Sequence, residues 1–505
     1  MKSRLQEIEK VPVIIILKDK TYLEILSIEN QIHFLKNNAF ETQKGLVSFL
    51  EEEKIKGNAD RINPFWIVNA IALKASPQLI EKLGKRDDIE LIQLDHQFNT
   101  VEDDLYTTST VLNNPTSDLI KINTPEPWGY GIYGGGINVS IIDTGINSSH
   151  PDIAGRVTRF KDDVYHPDDP YPDPYDNDGH GTHVAGTVGG NGTGGITTGV
   201  APNVSLFGVQ VFDGNIAFES TIINGIQWSI ENNANIISMS LASSNTWTTP
   251  DCDLDDPAMA NAINNAIASG VIVVAAAGND QRGVSSPGCI KNVTAVGAVG
   301  SNDVIAYFSG RGGAMMDHGV VAPGVGITSL DYLTTGYISY SGTSMATPHV
   351  AGTYALMLEA AKRKGVVLEP MEARSILRGT SKDLGTVGID NTYGAGRIDA
   401  FEAIKEFMMG YVNGTVVDSV TQQGIPGAIV TTNTSIMTTT NGTGYYSLDL
   451  LEGAYELTVS DDPEYYTNSS VIVRATNDPA LMQDIEIEKK PRGNITGRIQ
   501  NTAAD

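Results

Sequence analysis

Apolar and polar positions alternate along the chain with two periods, and the texture changes twice. Near the start, "VPVIIIL" (residues 11–17) is an unbroken apolar run of strand length. Residues 23–36 and 44–54 carry helical spacing, "FWIVNAIALK" (65–74) reads as a strand, "SPQLIEKLGKR" as a capped helix and "IELIQL" as a strand. These elements predict a small α+β module over roughly the first hundred residues.

From about residue 105 to 408 the chain becomes rich in Gly and Ala. "INVSIIDTG", "NIISMSLA" and "GVIVVAAAGN" are apolar on both faces, as in strands of a covered parallel sheet. "TIINGIQWSIENN", "DPAMANAINNAIASG" and "SMATPHVAGTYALMLEAAKRKG" are the helices between and after them. The alternation predicts an α/β domain with a doubly wound, mainly parallel sheet. Beyond it, "GYVNGTVVDSV", "GIPGAIVTT", "GYYSLDL" and "GAYELTVS" are short strands divided by Gly and Asn turns, which predicts an all-β sandwich. "GNITGRIQNTAAD" echoes the first of these strands, as the start of a second repeat or as a tail. The expected domains are 1–104, 105–408, 409–488 and 489–505.

Charge narrows the function. The 505 residues carry 60 acidic against 34 basic side chains, a formal net charge of −26. A nucleic-acid binder needs a basic face, so no nucleic-acid partner is expected. No apolar run is long enough to span a membrane, and residues 11–17 lack the layout of a signal peptide. Two cysteines, Cys252 and Cys289, cannot build a tetrahedral zinc site alone. One disulfide or two free thiols fit the count, and a bridge would close a segment around "VIVVAAAGN".

Candidate chemistry gathers where a doubly wound sheet places ligands, at strand C-termini and helix starts. Asp143 ends "NVSIID". His180 opens the small-residue helix "HGTHVAGT", while His183 reads as a capped surface histidine. Asn279 ends "VIVVAAAGN", where its amide could face a cleft or simply occupy a left-handed turn. Ser344 stands at the start of a helix with Pro348 four residues on, as a helix cap or as a nucleophile.

Singly each is weak; in the order Asp, His, Asn, Ser they are specific. "IIDTGINSSHPDI", "DGHGTHVAGT", "AAAGND" and "SGTSMATPHVAG" resemble the Asp, His, oxyanion-Asn and Ser blocks of the subtilisin-like serine proteases, and the resemblance covers residues from about 121 to 404. It implies a secreted serine endopeptidase with Ser344 as nucleophile, His180 as base, Asp143 as orienter and Asn279 as oxyanion donor. It implies a peptide-binding strand near Ser240, Leu241 and Ala242, with Gly214, Ala277, Gly278 and Asp280 around the groove. Ala242 and Ser243 depart from the small glycines usual there. Asp280 is either a selector of basic residues or a solvated charge.

The same resemblance implies structural calcium and no catalytic metal. Asp152 and the loop 191–199, including Asn191, match the family's common calcium position, with Thr193 and Thr197 where amide and carbonyl ligands are usual. A second acidic, Pro-rich loop, "KDDVYHPDDPYPDPYDND" (161–178), offers Asp173, Asp176 and Asp178, or is a solvated acidic loop. Residues 1–104 resemble the family's inhibitory, ferredoxin-like propeptide, with a tail lying in the cleft and self-cleavage between roughly 98 and 112. Residues 409–488 resemble a carboxypeptidase regulatory-like sandwich, with sequons at Asn413, Asn441 and Asn468. Expected partners are protein or peptide substrates and the chain's own propeptide; the expected state is a monomer, outside the cell or on its surface. The alternative is a catalytically silent surface or binding protein on the same fold.

Overall fold

A computed structural model describes residues 10–18, 28–100, 114–164, 175–460, 464–476 and 482–491. They form two compact units that divide between Ile404 and Lys405.

The first unit opens with an antiparallel sheet of order β2-β3-β1-β4, made of β1 (Val11–Leu17), β2 (Ala59–Phe65), β3 (Ala70–Ala75) and β4 (Ile89–Leu94). Helices α1 (Ile28–Ile55) and α2 (Pro77–Leu83) accompany it, α2 capped by the Ser76 side chain. The run "VPVIIIL" is apolar at every position because both its faces are covered. Val13, Ile15 and Leu17 pack with Leu46 and Leu50 of α1, whereas Ile14 and Ile16 join the core of the following domain.

Two expectations change here. The helices expected at 23–36 and 44–54 are one helix, because nothing between them breaks the ladder; residues 19–27 lie outside the described set. "FWIVNAIALK" is not one strand but the end of β2, a turn at 66–69 and β3. Tertiary contacts hold that turn: Trp66 and Ile67 N–H donate to Gln227 Oε1 at 3.0 and 3.4 Å, and Asn265 donates to the Ile67 carbonyl. The module leaves by β5 (Gln97–Thr100).

After the short helices α3 (Ser117–Lys121) and α4 (Pro125–Gly129) come β6 (Asn138–Asp143), β7 (Val157–Asp162), α5 (His180–Gly189), β8 (Ser205–Gln210), β9 (Phe212–Asp213), β10 (Ile216–Phe218), α6 (Glu219–Glu231), β11 (Ile236–Met239) and β12 (Leu241–Ser243). Then follow β13 (Thr246–Trp247), α7 (Pro257–Ala268), β14 (Ile272–Ala276), β15 (Val284–Ser285), β16 (Thr294–Val299), α8 (Gly313–His318), β17 (Gly319–Pro323), β18 (Ile327–Leu330), β19 (Tyr337–Tyr340) and α9 (Thr343–Arg363). Seven of these strands form one parallel sheet of order β17-β16-β14-β11-β6-β8-β7. Helices pack in pairs, α5 with α9 and α6 with α7. The fold is the expected doubly wound α/β domain.

The second unit is all β. Strands 409–418, 445–451 and 485–487 make one sheet, and 429–432, 437–439, 453–460 and 468–475 another. Val412, Val416, Tyr446, Leu448, Val430, Leu457 and Val459 fill its core. Asn413 is buried within it, so that sequon is closed to a glycan, whereas Asn441 stands in an exposed turn. The echo of the first strand at 493–505 lies outside the described residues.

Cys252 and Cys289 are joined as a disulfide and both are buried. The bridge ties the segment before α7 to the one after β15 across 37 positions. Closing a loop of that length removes up to about 4 kcal/mol of unfolded-state entropy. Replacing both cysteines by serine is expected to lower the thermal and urea midpoints, with the far-ultraviolet spectrum unchanged at low temperature.

Candidate active site

Ser344 sits in the first turn of α9 and is fully buried. A helix leaves its first four N–H groups without intrahelical acceptors, so the Ser344 N–H remains free for an anion. Pro348 removes a second helix bond, the one that would end on the Ser344 carbonyl. Ser240 resolves that loss: its hydroxyl donates to the Ser344 carbonyl at 2.9 Å, and the Ser344 hydroxyl donates back to the Ser240 carbonyl at 3.0 Å. The nucleophile candidate is thus clamped by the residue that follows β11.

The neighbouring strand supplies the next group. β6 and β11 pair in parallel with Ile142 opposite Met239, so Asp143 and Ser240 leave the sheet side by side, on strands about 4.8 Å apart. Asp143 Oδ1 accepts from His180 Nδ1 at 2.7 Å and from the Thr144 N–H at 2.7 Å. A carboxylate acceptor fixes the proton on Nδ1, which puts the ring's lone pair on Nε2. Asp143 and His180 are both fully buried.

What aims His180 is Asp176. Its carboxylate accepts from the Thr144 hydroxyl (3.0 Å), the N–H groups of Asp178 (3.1 Å), Gly179 (2.9 Å) and Thr182 (2.8 Å), and the Thr182 hydroxyl (2.6 Å). It therefore caps α5 and ties that helix to the end of β6. Asp178 accepts from the His180 N–H at 3.1 Å. Thr144 and Thr182 were invisible as site residues in the sequence; the only trace was the Asp-rich run just before a helix start. His183 corrects the sequence reading: it is buried, not on the surface. It stacks on Tyr340 with ring centroids 4.6 Å apart and bonds the Ile327 carbonyl at 3.0 Å, and burial pushes its pKa down to about 3.

Asn279 follows β14, the other neighbour of β11. Its Oδ1 accepts from the Thr343 N–H at 3.1 Å and the Thr343 hydroxyl at 2.9 Å. That fixes which way the amide points. Its Nδ2 is buried and has no partner among the described residues, a donor held ready for an acceptor beside the start of α9.

The groove beside these groups already holds an extended segment. β5 pairs antiparallel with β12, with Thr100 opposite Leu241, Asn99 opposite Ala242 and Phe98 opposite Ser243. On its other edge Phe98 lies opposite Ala217 and Gln97 opposite Phe218 of β10. Phe98 is fully buried in the cluster that contains Ile222, Leu241 and Met259. Gly214, expected to line the groove, occupies the turn between β9 and β10 at φ 60°, and the pairing falls to Ala217 and Phe218. Ala277 and Gly278 form the start of the loop to Asn279; the Gly278 φ of 92° and the Ser285 side chain 2.6 Å from a Cβ there make glycine necessary. Asp280 is half-buried and its charge meets Arg282 at 3.8 Å.

The expected metal ligands are otherwise engaged. Asp152 accepts from the Gly194 N–H and, at 2.8 Å, from the Tyr337 hydroxyl. The Asn191 side-chain oxygen accepts from the N–H and hydroxyl of Thr193 at 3.0 and 2.8 Å. Arg156 donates to the carbonyls of Asp152 and Gly189. Among the described residues no three His, Cys, Asp or Glu side chains gather as a metal-binding group. Asp176 is committed to α5. Asp173 lies outside the described residues.

An extended strand lying in a groove, beside a serine at a helix start and an imidazole held by a buried carboxylate, defines a peptide-bond hydrolase of the serine class. The profile of the Subtilase family matches residues 134–396, and the chain belongs to that family. It is a serine endopeptidase of the subtilisin type. The carboxypeptidase regulatory-like domain profile matches residues 411–488. The alkaline protease of Alkalihalobacillus alcalophilus is 33% identical over 359 residues, covering 70% of this chain and 84% of that protein. Subtilisin DY of Bacillus licheniformis is 39% identical over 277 residues, covering 53% of this chain and 90% of that protein. Among solved structures, fervidolysin from Fervidobacterium pennivorans, described as a keratinolytic enzyme related to subtilisin, superposes with a TM-score of 0.59 at 21% identity, over 96% of this chain and 79% of that one; that likeness bears on the fold.

Removing the Ser240 hydroxyl strands a buried carbonyl, which costs about 1–3 kcal/mol. Ser240→Ala is therefore expected to destabilise the chain by that order in urea unfolding, while Ser243→Ala, whose hydroxyl bonds only the exposed Asn245 carbonyl, changes stability little.

Proposed function

We propose that peptide hydrolysis runs through Ser344, His180, Asp143 and Asn279. The observation that carries this is the pair of adjacent strand ends, one holding Asp143 with His180 and the other holding Ser240 with Ser344. Ser344 Oγ attacks the scissile carbonyl as His180 Nε2 takes its proton. The carbonyl oxygen becomes an oxyanion, which accepts from Asn279 Nδ2 and the Ser344 N–H. When the C–N bond breaks, His180 gives the proton to the departing amine. Water then repeats the sequence on the acyl-serine, with His180 again taking and returning one proton, and the acid leaves. Asp143 holds the tautomer and stabilises the imidazolium between transfers.

The N-terminal module acts as a self-inhibiting propeptide in this reading. β5 fills the groove as a substrate strand would, and it runs toward Ser240 and Ser344. The cut is expected in the residues directly after Thr100, within the 98–112 window. Extracellular action is supported by relatives such as the minor extracellular protease Epr of Bacillus subtilis, 32% identical over 359 residues; among the described residues no helix is long and apolar enough to cross a membrane. No observation favours a silent binding protein.

Two measurements test these points. A fluorophosphonate probe is expected to label Ser344, with labelling lost in His180→Ala and Ser344→Ala. Mass spectrometry should find purified wild type cut after Thr100 and Ser344→Ala intact; normal processing of Ser344→Ala alone would overturn self-cleavage.

The interface beneath β4 and β5 titrates. Gln93 Nε2 donates to both Glu219 oxygens at 3.1 Å, and Asp95 caps α6 by accepting from the Ser220 N–H and hydroxyl at 2.9 and 2.7 Å. Burial, with Asp256 and Asp95 alongside, pushes Glu219 well above the ordinary glutamate value of 4.5; burial likewise raises Asp95, opposed by Ser220, His96 and Lys74. A folded-state pKa raised above the unfolded value gives stability that is complete at low pH and lost as pH rises. In the Ser344→Ala chain, Glu219→Gln imitates the protonated acid. It should match its parent at pH 5 and exceed it in thermal midpoint at pH 8; an equal difference at both pH values would refute the linkage.

A further inference from the structure

The first turn of α9 is held from outside the helix ladder at successive carbonyls. Thr343 O receives the Thr347 hydroxyl at 2.8 Å, Ser344 O receives the Ser240 hydroxyl, and Met345 O receives His349 Nδ1 at 2.8 Å. The first two need no further support. A histidine ring does, because rotation about its side-chain bonds would withdraw the donor. Asp118 supplies that support: its Oδ2 lies 3.0 Å from His349 Nε2 and also accepts from the Thr116 hydroxyl at 3.2 Å. His349 is fully buried and Asp118 is 9% exposed.

Both ring nitrogens of His349 face oxygen acceptors, a carbonyl on one side and a carboxyl on the other. A buried polar pair of this kind is a poor source of stability, because desolvation offsets most of its attraction. What it does supply is direction. The group it directs is the Met345–Ala346 peptide unit, one residue beyond Ser344 in the same helical turn, and the Ser344 N–H and Oγ are the two atoms the proposed chemistry uses.

We propose that Asp118 and His349 are positioning residues for catalysis, the carboxyl of α3 orienting the imidazole that fixes the nucleophile's turn. This rests on Ser344 being the nucleophile. Asp118 belongs to the short helix that follows the expected cleavage region, so the first residues of the mature chain complete the geometry of the reacting serine. Thr116 N–H to Thr197 O at 3.2 Å and Thr197 N–H to Asn114 Oδ1 at 3.2 Å anchor that same segment.

The test uses the full chain, self-processed, with active sites counted by fluorophosphonate labelling so that kcat is expressed per labelled serine. Asp118→Ala is expected to lower kcat about tenfold with KM within about twofold, since displacement of a reacting group acts on the chemical step. Asp118→Asn can donate its amide N–H to the Nε2 lone pair, leaving the ring proton on Nδ1 for the Met345 carbonyl, and should retain kcat within about threefold. His349→Ala should match Asp118→Ala, and the double variant should lose no more than the larger single loss, as for two residues acting through one contact. Unchanged kcat in Asp118→Ala, losses that multiply in the double variant, or equal loss in Asp118→Ala and Asp118→Asn would overturn the proposal. Should Asp118→Ala fail to accumulate as folded enzyme, Asp118→Leu, which keeps the volume and removes the acceptor, is read by the same criteria. Failure of Ser344 as nucleophile shows separately, as wild type that takes no label.

Discussion

The structure turns on a carbonyl that has lost its helix partner. Pro348 denies the Ser344 carbonyl an N–H, and Ser240 answers with a hydroxyl while taking the Ser344 hydroxyl in return. Because Ser240 directly follows β11, that exchange fixes the start of α9 to the middle of the parallel sheet. Asp143 leaves the next strand at the same level and Asn279 the strand on the other side. Three neighbouring strand ends therefore bring a carboxylate, a hydroxyl and an amide to one edge of the sheet, and Asp143 holds the imidazole of α5 there. Strand ends hold such groups more firmly than loops alone.

The N-terminal module shows the same economy. β1 divides its side chains between two cores, one of its own and one shared with α6 and α7. That is why a strand in a small antiparallel sheet reads as a continuous apolar run. The module's last strand then lies between β10 and β12, with Phe98 buried in the core. Glu219, Asp95 and Asp256 lie under the same contact, so the burial that seals the groove also raises the pKa of Glu219 and Asp95.

Much of this was legible beforehand. The strand runs around Asp143, Ile237 and Val274 were readable because parallel strands are covered on both faces. The four blocks carrying Asp143, His180, Asn279 and Ser344 were readable because each pairs a reactive side chain with small neighbours that allow close approach. The turn at 66–69 was not, since it depends on contacts with Gln227 and Asn265 far along the chain. That Asp176 caps α5 was not legible, because a cluster of carboxylates in sequence says nothing about which donors will reach them.

The sequence by itself determined the order of the elements, the doubly wound sheet and the candidate residues of the site, because periodicity and local residue chemistry act over a few positions. Only the tertiary structure decided which oxygens were already spent, that His183 is buried, that Gly214 turns a hairpin while Ala217 and Phe218 pair, and that Asp118 meets His349. Those outcomes depend on which groups from distant segments win a place within hydrogen-bonding reach. No single stretch of chain contains that information.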